Sequence, residues 1–102
     1  MDSIKDLIFT IQKRPSLYLG RNYISCLKAY LDGWYHRRPD DVSDLEMMSH
    51  FRVWLGNRYS ITNETQGWCS IILFYSRDEC DALSNFFELF NEFLEYQNLH
   101  EE

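Results

Sequence analysis

The chain has 102 residues, 45% of them hydrophobic and 17% aromatic, enough for one core that buries roughly two-thirds of the unfolded surface. No stretch nears the roughly 18 to 20 continuous apolar residues of a membrane-spanning helix, and Met1-Asp2-Ser3-Ile4-Lys5-Asp6 lacks the basic and apolar regions of a signal peptide, so a single cytoplasmic domain over 1–102 is expected. The net charge of −6 is unevenly placed: residues 1–77 hold all ten Lys and Arg and eight acids, a net of +2, whereas residues 78–102 hold eight acids and no Lys or Arg, a net of −8.

Ser3 followed by Asp6 resembles a capping box, and Ile4, Leu7, Ile8 and Ile11 recur at helical spacing, predicting a helix over about 4–13. Pro15 disfavours helical geometry at Arg14, and Gly20 permits a tight turn, so residues 14–20 read as a connector whose apolar side chains fold back onto the core. Asn22 can cap a second helix carrying Ile24, Leu27, Leu31 and Trp34; it ends in the cations of His36-Arg37-Arg38 and is stopped by Pro39. Ser43-Asp44-Leu45-Glu46 is a full capping box, and Leu45, Met48, Phe51, Trp54 and Leu55 predict a third helix, frayed near Gly56-Asn57.

Trp68-Cys69-Ser70-Ile71-Ile72-Leu73-Phe74-Tyr75 is ambiguous, since a short apolar run rich in β-branched and aromatic residues suits a buried strand or a buried helix. A second strand to pair with it is missing, which favours a buried helix over about 66–75, capped near Asn63 or Thr65; an α+β fold is the alternative. Ser76-Arg77-Asp78-Glu79 then reads as a capping box opening a helix of about 20 residues, with Leu83, Phe86, Phe87, Phe90, Phe93, Leu94 and Gln97 on one face. On the other face Asp81, Asn85, Glu88, Glu92 and Glu95 recur at spacings of 4, 3, 4 and 3, forming one acidic and amide stripe. The expected fold is all-α, with four to five helices and a long C-terminal amphipathic one.

Chemistry-bearing constellations are sparse. Cys26, Cys69 and Cys80 form no CxxC and have no paired histidines nearby, so reduced packing thiols are expected, with a disulfide or redox switch as the alternative. His36, His50 and His100 lie apart, without metal-ligand or nucleophile–base spacing. Glu88 and Glu92 sit on adjacent turns of an exposed face, where solvation keeps both ionised, so they do not make a paired-carboxylate site. Tyr18-Leu19-Gly20-Arg21 is a turn and not a phosphate loop. No enzyme, no metal and no cofactor is expected.

Two binding readings remain. Lys13, Arg14, Arg21, Lys28, Arg37 and Arg38 fall among Tyr18, Tyr23, Trp34 and Tyr35, a pattern open to a small nucleic-acid-binding or regulatory module over 13–38. A sequence pI of about 4.9 weighs against it. The acidic stripe, by contrast, sets Glu88 against Glu92 at i,i+4 where a solvated helix face usually alternates acids with Lys or Arg. Such a face repels nucleic acid and attracts a cationic partner, although a merely soluble surface is the plainer interpretation.

The chain resembles a family of small bacterial proteins that includes immunity proteins of contact-dependent and other polymorphic toxin systems. The resemblance lies in Arg14-Pro15-Ser16-Leu17-Tyr18-Leu19-Gly20, Leu27 with Leu31-Asp32-Gly33-Trp34, Phe51 with Trp54-Leu55, and Trp68 with Ile71-Ile72-Leu73-Phe74-Tyr75-Ser76. It continues through Glu79 and Ala82 to Phe86-Phe87-Glu88-Leu89-Phe90 and Glu92-Phe93-Leu94, spanning about 4–96. It implies a one-to-one complex with a cognate toxin, typically a basic nuclease domain whose active site or substrate surface is occluded, without binding nucleic acid or membrane. Carboxylates placed where phosphates would lie compete for such a toxin's cationic groove. The residues expected there are Asp81, Glu88, Glu92 and Glu95, with Asp40, Asp41, Asp44 and Glu46, and Tyr96 or Trp34 as aromatic anchor.

Overall fold

Six helices and no strand make up the computed structural model, which describes residues 3–37, 44, 46–62 and 65–100. They are α1 (Ile4–Lys13), α2 (Pro15–Leu19), α3 (Ile24–Arg37), α4 (Met47–Arg58), α5 (Trp68–Phe74) and α6 (Glu79–His100). The fold is all-α, and the ambiguous apolar run is a helix. With a radius of gyration of 13.3 Å, the chain is as compact as a folded domain of about 100 residues.

α1 begins as its sequence dictates: the Ser3 hydroxyl accepts from the Asp6 amide at 3.0 Å, and Ile4, Ile8 and Ile11 are buried. Arg14 is non-helical, as the following proline requires, yet Pro15 itself starts a new turn at N1, its fixed φ preset for a helix. The expected connector is therefore the one-turn α2, ended by Gly20 at φ 78°. Tyr18 and Leu19 pack on the core, but Leu17 stays 70% exposed.

α3 is not capped by Asn22, whose side-chain oxygen instead accepts from the Ser16 hydroxyl at 3.0 Å. Its first turn is satisfied from far away: Glu79 Oε1 accepts from the Ser25 amide at 3.0 Å. Asp44 plays the same part for α1, its two carboxylate oxygens accepting from the amides of Ile4 at 2.7 Å and Lys5 at 3.1 Å. Each carboxylate meets the orphan donors and the positive end of a helix dipole. α4 starts at Met47, later than the proposed box; Ser43 and Leu45 fall outside the described residues, as do Pro39 and Arg38.

The expected fraying near Gly56-Asn57 is absent, because α4 runs to Arg58 and closes in a Schellman motif. The Ile61 amide donates to the Gly56 carbonyl at 2.8 Å and the Ser60 amide to Asn57 at 3.4 Å, with Ser60 in the left-handed region at φ 56°. α5 begins at Trp68 after Gly67, one turn beyond Asn63, which lies outside the described residues, and past Thr65. α6 begins two residues later than its proposed box. Asp78 accepts from the Asp81 amide at 2.8 Å, while the Ser76 hydroxyl donates to the Ile72 carbonyl at the end of α5.

α6 lies against α3, α5 and α4, and its buried residues include Ala82, Leu83, Phe86, Phe87, Leu89, Phe90 and Phe93. At about 100° per residue these cover an arc of roughly 160°, well over a third of the helix. The ring of Phe51 on α4 sits at the centre of this core. It meets Phe86, Phe90 and Phe93 edge-on at 5.4–5.5 Å, stacks near Trp54 at 6.1 Å and contacts Trp68 at 6.5 Å. Edge-to-face geometry sets the positive ring edge on the negative face of its neighbour.

Candidate functional site

With the buried arc of α6 fixed, the acidic stripe occupies the remaining side, and the structure divides it lengthwise into two edges. Taking Asn85 as reference, Glu92 and Asp81 lie within roughly 40° of it around the helix, whereas Glu88 and Glu95 are turned about 60° to 80° outward. Among the described residues, the inner edge has ion-pair or hydrogen-bond partners and the outer edge has no ion pair.

On the inner edge, Asp81 accepts from the Arg77 amide at 2.9 Å, meets the Arg77 guanidinium at 3.4 Å and takes a bond from Asn85. These contacts, the Arg77 amide foremost, hold the Asp81 carboxyl below the usual carboxylate range. Asn85 also donates to the Ser76 hydroxyl at 2.9 Å. Glu92 forms an ion pair with Arg58 of α4 at 2.8 Å, and the same guanidinium lies over the Trp54 ring at 5.5 Å. Glu88 and Glu95 are exposed and make no ion pair with any described residue.

The N-terminal acids do not join this edge as a block. Asp40 and Asp41 lie outside the described residues. Asp44 is engaged at the head of α1, and Glu46 lies 3.7 Å from His50 on α4. Glu95 comes closest to that end of the molecule, sharing a shallow groove with Lys5, Phe9 and Met47. Asp81 stands fourteen residues earlier, about 21 Å away along the helix. Of the suggested anchors, Tyr96 is 47% exposed on α6. Trp34 is half-buried and lines a cleft of about 180 Å³ with Ile4, Leu31, Met48 and Trp68.

The basic residues of the alternative reading are likewise dispersed. Lys13, Arg14 and Arg21 gather near the α1–α2–α3 turns, with Arg21 over the Tyr23 ring at 5.7 Å. Lys28 is tied to Asp32 at 2.6 Å, a contact that raises its pKa. Arg37 ends α3, about 20 Å from its start, and Arg38 falls outside the described residues. Among the described residues, no group of three or more His, Cys, Asp or Glu is placed to hold a metal ion, and no helix is long and apolar enough to cross a membrane. The cysteines are free thiols: Cys69 is buried, which pushes its pKa up, Cys26 is half-buried and Cys80 is exposed.

Sequence reasoning assigned the whole of 68–75 to the interior and so missed a surface feature. Phe74 is 75% exposed and Tyr75 50% exposed; their rings meet edge-on at 5.0 Å, and Tyr75 stacks on Tyr59 at 4.4 Å with planes 10° apart. A helical projection of 68–74 would have given the hint, since Ser70 and Phe74, four apart, share a face opposite Trp68 and Ile72.

No family model, no curated protein and no solved structure matches the chain. Many positions that carry the family resemblance, including Leu27, Leu31, Phe51, Leu55, Ile71, Ile72, Phe86, Phe90 and Phe93, are core residues.

Proposed function

We propose that the protein is an immunity protein, binding a cognate basic toxin domain of nuclease type one-to-one and occluding its active site or substrate surface. The observation that carries the reading is the outer edge of α6. Glu88 and Glu95 stand exposed and form no ion pair with a described residue, on a helix whose opposite arc is wholly taken up by the core. A helix in that situation has one free surface, and its charge matches a groove built for phosphates. Negative charge on this edge speeds encounter with a cationic partner more than it strengthens the final contact.

The reading is tested by co-expressing the chain with the C-terminal domain encoded immediately upstream of its gene. Survival of cells otherwise killed by that domain, and a one-to-one complex on gel filtration, are expected. A harmless upstream product, or killing that continues regardless, overturns the proposal. Glu88→Lys with Glu95→Lys should slow association at low salt and flatten its salt dependence while leaving the fold intact. Glu92 is a poorer probe, because its reversal also breaks the pair with Arg58.

A further inference from the structure

The exposed rings of Phe74 and Tyr75 are tied to the inner edge of the acidic stripe by two fixed points. Ser76, the next residue after Tyr75, is bonded to Asn85 of α6 at 2.9 Å. Tyr59, stacked on Tyr75, follows Arg58, which is paired with Glu92. The Tyr59–Tyr75 stack therefore runs alongside the inner edge of α6 between residues 85 and 92, and Glu88 lies between those two points along the helix, turned roughly 40° to 60° outward from them. The surface so formed consists of two exposed rings, a half-buried third and one carboxylate that makes no ion pair with a described residue.

Its electrostatics are one-sided. The cations bordering it are already neutralised, Arg58 by Glu92 and Arg77 by Asp81, whereas Glu88 has no ion-pair partner among the described residues. Ring faces carry negative quadrupole potential, and a carboxylate next to them adds a full charge. A planar guanidinium satisfies both at once: it stacks on a ring and donates two parallel bonds to a carboxylate, which an ammonium cannot do. Two of the chain's own arginines lie over rings, Arg58 over Trp54 and Arg21 over Tyr23. A second copy of this chain fits poorly, since a two-fold contact would set Glu88 against Glu88, and a nucleic acid brings charge of the wrong sign.

We infer that Phe74, Tyr75 and Glu88 form an arginine-binding surface that receives a guanidinium from a cationic protein partner. This deepens the reading above and rests on it for the partner's biological identity, but the contact is testable without that partner. The isotope-labelled protein is titrated at moderate salt with a hexa-arginine peptide and, separately, with a hexa-lysine peptide, and resonance shifts are followed by NMR.

Shifts centred on Tyr59, Phe74, Tyr75 and Glu88 are expected, with the arginine peptide binding at least about threefold tighter than the lysine peptide. Phe74→Ala and Glu88→Gln should each weaken the arginine peptide by about threefold or more, and Glu95→Gln by less than twofold. Equal affinity for the two peptides, shifts centred elsewhere, or indifference to Phe74→Ala overturns the inference. So does a concentration-dependent shift of the same residues without peptide, which marks self-association, or a shift of them by single-stranded RNA. Loss of peptide selectivity with toxin neutralisation intact refutes this surface alone; neutralisation failing while selectivity holds refutes the immunity reading alone.

Discussion

Two clusters of aromatic rings occupy this molecule, and they differ in burial and not in chemistry. Around Phe51, rings from α4, α5 and α6 close on one another until Phe51, Phe86, Phe90 and Phe93 are all 2% exposed or less. Around Tyr75, three rings pack against each other nearly as closely, yet Phe74 and Tyr75 remain half or more in water. The first cluster removes apolar area from solvent on every side, which stabilises the fold. The second is held together while leaving its outer faces available, the condition for recognising something else.

The sharpest way to break the contrast is to truncate one ring from each cluster. Phe51→Ala should cost about 3–5 kcal/mol, lost transfer energy plus a cavity that five neighbouring rings cannot fill. Phe74→Ala should change stability by less than about 0.5 kcal/mol, as surface substitutions generally do. Paired urea titrations read both, and a large loss at Phe74 would place that ring in the core. A smaller break lies at the rim of the buried cluster, where Asp44 holds the first turn of α1 and with it Ile4. Asp44→Ala should cost about 1 kcal/mol by thermal melting, the usual effect of losing a helix cap.

Ser60→Gly sharpens the exposed cluster. It relieves the left-handed conformation directly after Tyr59 and should stabilise the protein by about 0.5 kcal/mol, less than the intrinsic left-handed penalty because glycine also loosens the unfolded chain. The smallest effect is expected with pH. Asp81 anchors Arg77, two residues beyond Tyr75, and its carboxyl titrates below the usual range when folded. A group depressed in this way contributes stability above its unfolded pKa and loses it as pH falls through the folded one. Thermal melts should therefore be flat at this site near neutrality and decline below about pH 4, and Asp81→Asn should reduce that decline.

The parts of the fold legible in sequence are those decided by neighbours in the chain. Ser3 capping α1, the aromatic face of α6 and the helical nature of α5 all follow from local spacing and the demand that backbone groups be paired. Asn22 failed as the cap of α3 because its side chain is taken by Ser16 and Glu79, 54 residues beyond Ser25, reaches the Ser25 amide, a partner to which pattern reading has no access. α2 was hidden because proline both ends one helix and begins the next. The acidic stripe was legible as a row but not as two edges, since Arg58, which distinguishes Glu92 from Glu88, comes from another helix. The exposed rings at 74 and 75 were obscured by a hydrophobic run whose average says nothing of which side chain points outward.

Asp44 and Glu79 act as clasps closed across 40 and 54 residues, and this fixes an order of assembly. Local bonds close part of each first turn, but the Ile4 and Lys5 amides of α1 and the Ser25 amide of α3 wait for a segment synthesised later. Closing loops of that length is slow compared with forming a turn, so α1 should reach full protection from hydrogen exchange only as the segment around Asp44 docks, and α3 only as the C-terminal region does. A fragment ending before residue 79 should lose protection at the start of α3 first, leaving the N-terminal half dependent on the acidic end of the chain for its own completion.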